Sequence, residues 1–449
     1  GAVMLNGAVG TISNPGTLTL NGTLTSGTIT NTGTVAVGGE TLTATSITGG
    51  IVSTTSGVIS TTGMIATLNA TTSATLNGGA GLTVTNAIAG SPNLTLSGAV
   101  MLNGAVGTIS NPGTLTLNGN LTSTGDIDIA AAGRLVTGDY NLSAANITEL
   151  GAGAVLDASG QTTAGRTVTF SGSMTLVASG FTPGTTTTLT SSGTGNLTSA
   201  GNNVGNFEKT IGGTLTLQDA LDVNGNLAIT AGTLDANQKN ITLAGNWTNG
   251  GTFTSGGGTQ TVTFDGASDQ TIVSGGASFY NLTISNNGIN TISSNVLLSI
   301  LNNLEVHDNQ ILTVQGSISV TGKTLIHTTQ IHSSGDQVYS GTVTLGNNVV
   351  FTANNAGTNQ LVRFKDSSKA VTGEASAREL TIKDSNAQFD GPVSGLIASI
   401  KVDGTTNINT NEITSTGAQI YGDATGIDTI TLGADTTLTG STVTFNAPL

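Results

Sequence analysis

The chain contains no cysteine, only six prolines in 449 residues, and charged side chains at just 8% of positions. Without thiols there are no disulfide staples, zinc–thiolate centres or thiol redox chemistry, so backbone ladders and packing have to supply the stability. A typical soluble domain is roughly 25% charged, and the deficit here is uneven. Glu40 is the only charged side chain in the first 125 residues, and Arg134 is the first basic one. Trypsin therefore has no site before Arg134. Eleven Lys and Arg against 25 Asp and Glu give a net charge of −14, which excludes the basic footprint that nucleic acid or an anionic membrane surface requires. Aromatics, at 3%, are too few for the girdles of a membrane barrel. No apolar run approaches the roughly 18–20 residues of a membrane helix.

What is present is repetition. Gly1–Gly22 reads GAVMLNGAVGTISNPGTLTLNG, and Gly98–Gly119 repeats it letter for letter. A verbatim repeat signals one unit stacked many times. The second copy comes after a strand-like Asn93-Leu94-Thr95-Leu96-Ser97, whereas the first begins at Gly1 without an initiator methionine. Gly1 is accordingly expected to lie inside a longer array. Sixty-five glycines and abundant Thr, Ser and Asn resemble a disordered tract in composition alone. However, 36% of residues are apolar, and their alternation can build a core.

One phrase recurs: Thr or Asn, aliphatic, Thr, aliphatic, turn residue. It appears as TLTLNG at Thr17 and Thr114, TVTFSG at Thr167, TLTLQD at Thr214, NITLAG at Asn240, TVTFDG at Thr261, NLTISN at Asn281, TVTLGN at Thr342 and TITLGA at Thr429. A period of two puts the aliphatics on one face of a strand and Thr on the other, and the trailing glycine supplies a tight corner. The phrases at Asn240, Thr261 and Asn281 recur at intervals of twenty-one and then twenty positions, too short for a propeller blade or an immunoglobulin sandwich. The spacing predicts an all-β, elongated parallel β-solenoid with coils of about 20 residues. Its inward residues would be Leu18, Leu20, Leu115, Leu117, Ile241, Leu243, Val262, Phe264, Leu282 and Ile284. One such coil cannot repay the entropy of ordering itself, so stability must come from its neighbours. Asn21, Asn118 and Asn224 are the expected sites of stacked amide ladders. A second repeat, Ser333–Tyr339 (SSGDQVY) and Ser415–Tyr421 (STGAQIY), is offset by about four coils.

Two compositional regions are visible: residues 1–133, nearly uncharged and rich in Thr and Gly, and residues 134–449, more charged toward 363–403, with no clear linker between them. Val296–Leu304 has helix-like apolar spacing, but strand phrases flank it and it is read as strand.

Asn246-Trp-Thr-Asn-Gly-Gly-Thr-Phe-Thr254, Phe279-Tyr-Asn-Leu-Thr-Ile284 and Leu432-Gly-Ala-Asp-Thr-Thr-Leu-Thr-Gly-Ser-Thr-Val-Thr-Phe445 carry a resemblance. With them the chain resembles the β-strand-repeat exoproteins of bacteria, including filamentous-haemagglutinin-like adhesins and giant surface proteins. The phrases mark an architecture rather than a ligand. The resemblance implies an exported right-handed β-helix serving as fibre, stalk or adhesin. Of that group's secretion signature only a partial echo is present, at Ser91-Pro-Asn-Leu94.

Polysaccharide-active β-helices need converging carboxylates, or a carboxylate-bound calcium beside a basic residue. Asp126/Asp128, Asp219/Asp222 and Asp265/Asp269 are the available pairs, and they read as solvated corner or outer-face residues. Glu305, His307, Asp308, His327 and His332 raise the question of a metal, since stacking would bring His307 near His327. Three histidines on a polar rod read more simply as surface residues. The Asn-x-Ser/Thr sequons at Asn21, Asn69, Asn93, Asn120, Asn141 and Asn146 follow from composition. Thr-x-Thr ranks on a flat face would suit ice binding, but Asn93/Thr95, Asn281/Thr283 and Glu379/Thr381 interrupt the pattern. The expectation is an extracellular or cell-surface structural and adhesive segment of a large bacterial fibre, not an enzyme, with no catalytic, cofactor-binding or metal residues. Its expected partners are the rest of a longer chain or head-to-tail copies, and cell-surface glycans or other cells. Nucleic acid and membrane insertion are not expected. A polysaccharide-active enzyme is the alternative, with ice binding behind it. Neither end shows a recognisable cap, so continuation of the polypeptide is favoured over filament stacking.

Overall fold

A computed structural model describes residues 8–48, 51–54, 58–70, 73–77, 82–89, 93–97, 100–102, 106–109, 114–285, 291–294, 297–307, 311–423 and 428–449. Among them there is no helix. The strands pair in parallel from one coil to the next, and the fold is a parallel β-solenoid. Two compact units divide the chain, Gly1–Asp222 and Val223–Leu449. The only antiparallel pairing among the described residues is a small hairpin in the second unit, where Asn354 and Asn355 face Asn359 and Thr358.

The second unit shows the coil most plainly. Each coil contributes one strand to each of three faces. On one face, Ile241–Leu243, Thr261–Phe264, Asn281–Ile284, Leu304–Val306, Thr324–Ile326 and Val343–Leu345 lie in register. Alternation along each strand sends one column inward, Leu243–Phe264–Ile284–Val306–Ile326–Leu345, and all six are fully buried. On another face Ile300–Val320–Tyr339–Phe364–Phe389–Ile408 form a second interior column. Within it, Tyr339, Phe364 and Phe389 stack with ring centroids 5.6 Å apart and planes 14° apart. Trp247 packs edge-on against Phe253 and Phe279 at 4.8 and 5.3 Å. Aromatics placed in register thus stack as columns, adding geometry-specific energy to their burial.

The first unit begins differently. Leu18 pairs with Val35 and Val35 with Val52, so each of these coils advances the chain by only seventeen positions, short of the expected twenty. Leu24–Asn31 and Thr41–Thr48 are each a single long strand. Later in the same unit, Leu121–Ser123 and Ile127–Ile129 are separate strands around a corner at Thr124, Gly125 and Asp126. There Leu115 pairs with Leu135 and Leu121 with Leu142, so the advance per coil returns to twenty and twenty-one positions.

Of the ten residues expected inside, Leu115, Leu117, Ile241, Leu243, Val262, Phe264, Leu282 and Ile284 are buried. Leu18 and Leu20 are only half-buried, because Val35 covers Leu18 from one side and no described residue covers it from the other. The Val296–Leu304 stretch is strand where described: Leu298–Ile300 and Leu304–Val306 flank a corner at Leu301 and Asn302, and Val296 lies outside the described residues. Leu297 and Leu301, at its corners, are exposed, which is why the spacing imitates a helix.

Candidate functional site

The chemistry of this fold sits at its corners, where side chains of one coil reach the backbone of the next. The asparagines expected to stack, Asn21, Asn118 and Asn224, are exposed. The working position is instead the residue just before the first inward side chain of a strand. The Asn120 Oδ1 accepts from the Asn141 N–H at 3.0 Å, and the Asn141 Oδ1 accepts from the Thr167 N–H at 3.1 Å. In the second unit, the Asn226 Oδ1 takes the Asn246 N–H and the Asn246 Oδ1 the Thr271 N–H, both at 2.8 Å. The Asn240 and Asn303 carboxamides do the same for Thr261 and Lys323. These bonds satisfy backbone donors that a corner leaves unpaired. Asn at this position, recurring about once per coil, was readable in the sequence.

A second corner device points inward. At Asn14-Pro-Gly and Asn31-Thr-Gly the asparagine is buried, and Asn14 Nδ2 donates to Asn31 Oδ1 at 2.8 Å. Asn31 Nδ2 donates in turn to the carbonyls of Gly33 and Ile51. Ser123, Ser333 and Ser415 hold the carbonyl of the glycine two residues on in the same way. This explains the SSGDQVY/STGAQIY repeat. In each copy the Tyr hydroxyl, buried inside the coil, donates to the Oε1 of the Gln two residues before it, at 2.9 Å for Tyr339 and 3.1 Å for Tyr421. The motif is a self-satisfied polar corner.

The acidic pairs do not converge on a common point. Asp126 is exposed and accepts from Asn146 Nδ2 at 2.6 Å. Asp128 is half-buried on the outer side of its strand, and burial, helped by Asp126, pushes its carboxyl up. Asp219 caps the preceding coil, accepting from the Ser199 and Ala200 N–H groups, whereas Asp222 faces the backbone of Asn203 and is pushed up by burial. Asp265 and Asp269 are exposed at one corner. Basic residues are likewise committed to neighbouring coils: Arg134 to Asp157, Arg166 to Asp139, and Arg363 to Asp390 at 2.6 Å. Hydrogen bonds led by the Thr163 hydroxyl hold Asp139 well below the usual carboxylate range.

His307 and His327 do come together, edge to face, with ring centroids 6.0 Å apart and planes 73° apart. Each ring nitrogen Nε2 meets its own carboxylate: Glu305 at 3.1 Å for His307 and Glu374 at 2.8 Å for His327. Gly346 makes the second contact feasible, because a Cβ there would collide with the His327 ring. Asp308 lies outside the described residues, and His332 sits apart, bonded to Gln330 at 2.9 Å. Among the described residues no group of three or more His, Cys, Asp or Glu is arranged to hold a metal. The outward column Thr242–Thr263–Thr283 continues as Glu305 and Leu325, so the Thr rank is three coils long at that point.

Buried titratable residues escaped the sequence reading, Glu149 among them. Glu149 stands two positions after inward Ile147 and is itself inward, 3% exposed. No family model, curated protein or solved structure matches the chain.

Proposed function

We propose that the chain is an extracellular structural and adhesive segment of a large bacterial surface fibre or adhesin, without catalysis of its own. The observation that carries this reading is the use of its polar groups. Asn and Asp side chains at the corners, with Arg side chains, bond the next coil, coil after coil, which is how stacked coils resist fraying and proteolysis. Parallel ladders and continuous interior columns supply the rest of the mechanical stability. Cell-surface glycans or other cells are the partners such a segment would meet. The resemblance to β-strand-repeat exoproteins points the same way, and the absence of cysteine suits coils held by ladders.

The test uses the full chain coupled to beads, presented to bacterial and host cells and to a panel of acidic and neutral polysaccharides. Adhesion without release of reducing sugar or unsaturated product is expected. Reproducible polysaccharide turnover, abolished by Asp126→Asn or Asp128→Asn, would overturn the proposal in favour of a carbohydrate-active enzyme.

A further inference from the structure

Glu149 ends the strand Ile147–Glu149 with its side chain turned into the coil. Its Oε1 accepts from the Leu156 N–H at 3.0 Å and its Oε2 from the Val177 N–H at 2.7 Å. Leu156 belongs to the next side of the same coil and Val177 to the coil after it, so one carboxyl group joins the two. Gly180 makes the space: a Cβ at that position would overlap Glu149 Oε2. One coil further on, Asn202 fills the same kind of corner as a neutral amide, accepting from the Phe181 N–H and donating to the Val177 carbonyl.

The charged and titratable groups around Glu149 give it no counter-ion. On the preceding coil Asp128 points outward beside Ile129, the residue paired with Glu149. On the strand Val155–Ala158, Asp157 is bound to Arg134. Met174, Thr175 and residues 176–180 include no titratable side chain, and at the corner beyond them Asp219 is bound to the Ser199 and Ala200 amides. A buried carboxylate with two backbone donors and no cation is costly when ionised.

We propose that Glu149 is a proton-operated latch between two successive coils, making this stretch of the first unit harder to unfold in mildly acidic than in alkaline surroundings. Burial outweighs the Val177 and Leu156 hydrogen bonds and raises its carboxyl from 4.5 to about 7. The raised value fixes the sign. Below about 4.5 the folded and unfolded chains both carry the proton, and the latch contributes fully. As pH climbs from there through about 7 the unfolded chain ionises first and the contribution is lost. The difference corresponds to up to about a 300-fold rise in the local opening constant. All three histidines of the chain lie beyond residue 222, so none of them titrates within the first unit.

Hydrogen exchange of the full chain, at amides 150–156 and 176–181 and corrected for intrinsic rates, reads that constant directly between pH 5 and 8. It should rise with pH in the wild type by a factor of ten or more and stay flat in Glu149→Gln. An equal slope in both proteins would overturn the proposal. Should the glutamine variant not fold, infrared difference spectra of the wild type decide. A buried carboxylic-acid C=O band that disappears near neutral pH supports the latch, and a spectrum without one rejects it.

Discussion

The two copies of GAVMLNGAVGTISNPGTLTLNG share every letter and are built into the solenoid differently. Tracing the register upward, Leu24 leads through Leu42, Ile59, Leu76 and Leu96 to Leu117. Yet Leu117 is the counterpart of Leu20; the counterpart of Leu24 is Leu121, which stands in the column of Ile12, Ile29, Leu82 and Val100. The copies therefore lie on different faces. Their strands differ too: Ala8–Val9 and Ile12–Asn14 are separate in the first copy, whereas Val106–Ile109 is one strand in the second. The chain just beyond each copy also differs. From the inward Leu to the inward Ile that pairs with the copy's own isoleucine, Ile12 or Ile109, the chain advances five positions after the first copy (Leu24 to Ile29) and eight after the second (Leu121 to Ile129), where Thr124, Gly125 and Asp126 turn a corner. Alternation is a local property, but a residue's face depends on how much chain the preceding coils consumed.

The comparison can be broken most severely at that corner. Deleting residues 124–126 should force the longer coil toward the shorter form between neighbours that keep their length. The expected loss is at least about 3 kcal/mol, read as lost hydrogen-exchange protection across residues 121–149. A deletion tolerated without such loss would mean that coil length is set locally and not by the stack.

Glycine gives the next largest effect. Gly33 lies over Gly16, where an added Cβ would overlap the Gly16 carbonyl oxygen, whereas Gly22 has open space around it. Gly33→Ala should cost about 1–3 kcal/mol and Gly22→Ala no more than about 0.5 kcal/mol, compared in parallel denaturant melts. Similar melts for the two would show that the shorter coils are not closely stacked at that corner.

Asparagine gives the smallest contrast. Asn31→Ala removes a buried amide and takes one hydrogen-bond partner each from Asn14 and the carbonyls of Gly33 and Ile51, for about 1–3 kcal/mol at most. Exposed Asn21→Ala should stay within about 0.5 kcal/mol. Thermal melts of the two variants against the wild type would locate the amide ladder inside the corner or outside it.

Much of the interior was legible beforehand. Ile241, Leu243, Val262, Phe264, Leu282 and Ile284 are inward because period two and a recurrence once per coil fix both side and partner. Less legible were residues whose role depends on a neighbour many positions away. Asn120 looks like Asn118 in sequence, yet only Asn120 faces an N–H of the next coil. His307 and His327 could be brought together by counting one coil, but the choice of Glu374 as His327's partner required Gly346 to stand aside between them. Glu149 was in principle readable as an inward residue. Its lack of a counter-ion was not.

By itself the sequence determined the solenoid: alternation put Leu, Ile and Val inside, glycine and asparagine made the corners, and the regular recurrence of the phrase made the layers parallel. These follow from the geometry of a few consecutive residues, which every copy of a phrase carries with it. Only the tertiary structure decided which face a strand occupies, where the coil shortens, and which corner side chains find a partner. Those outcomes depend on the running length of the coils beneath. Two identical segments of one chain cannot encode that difference, and the stack beneath and above each one supplies it.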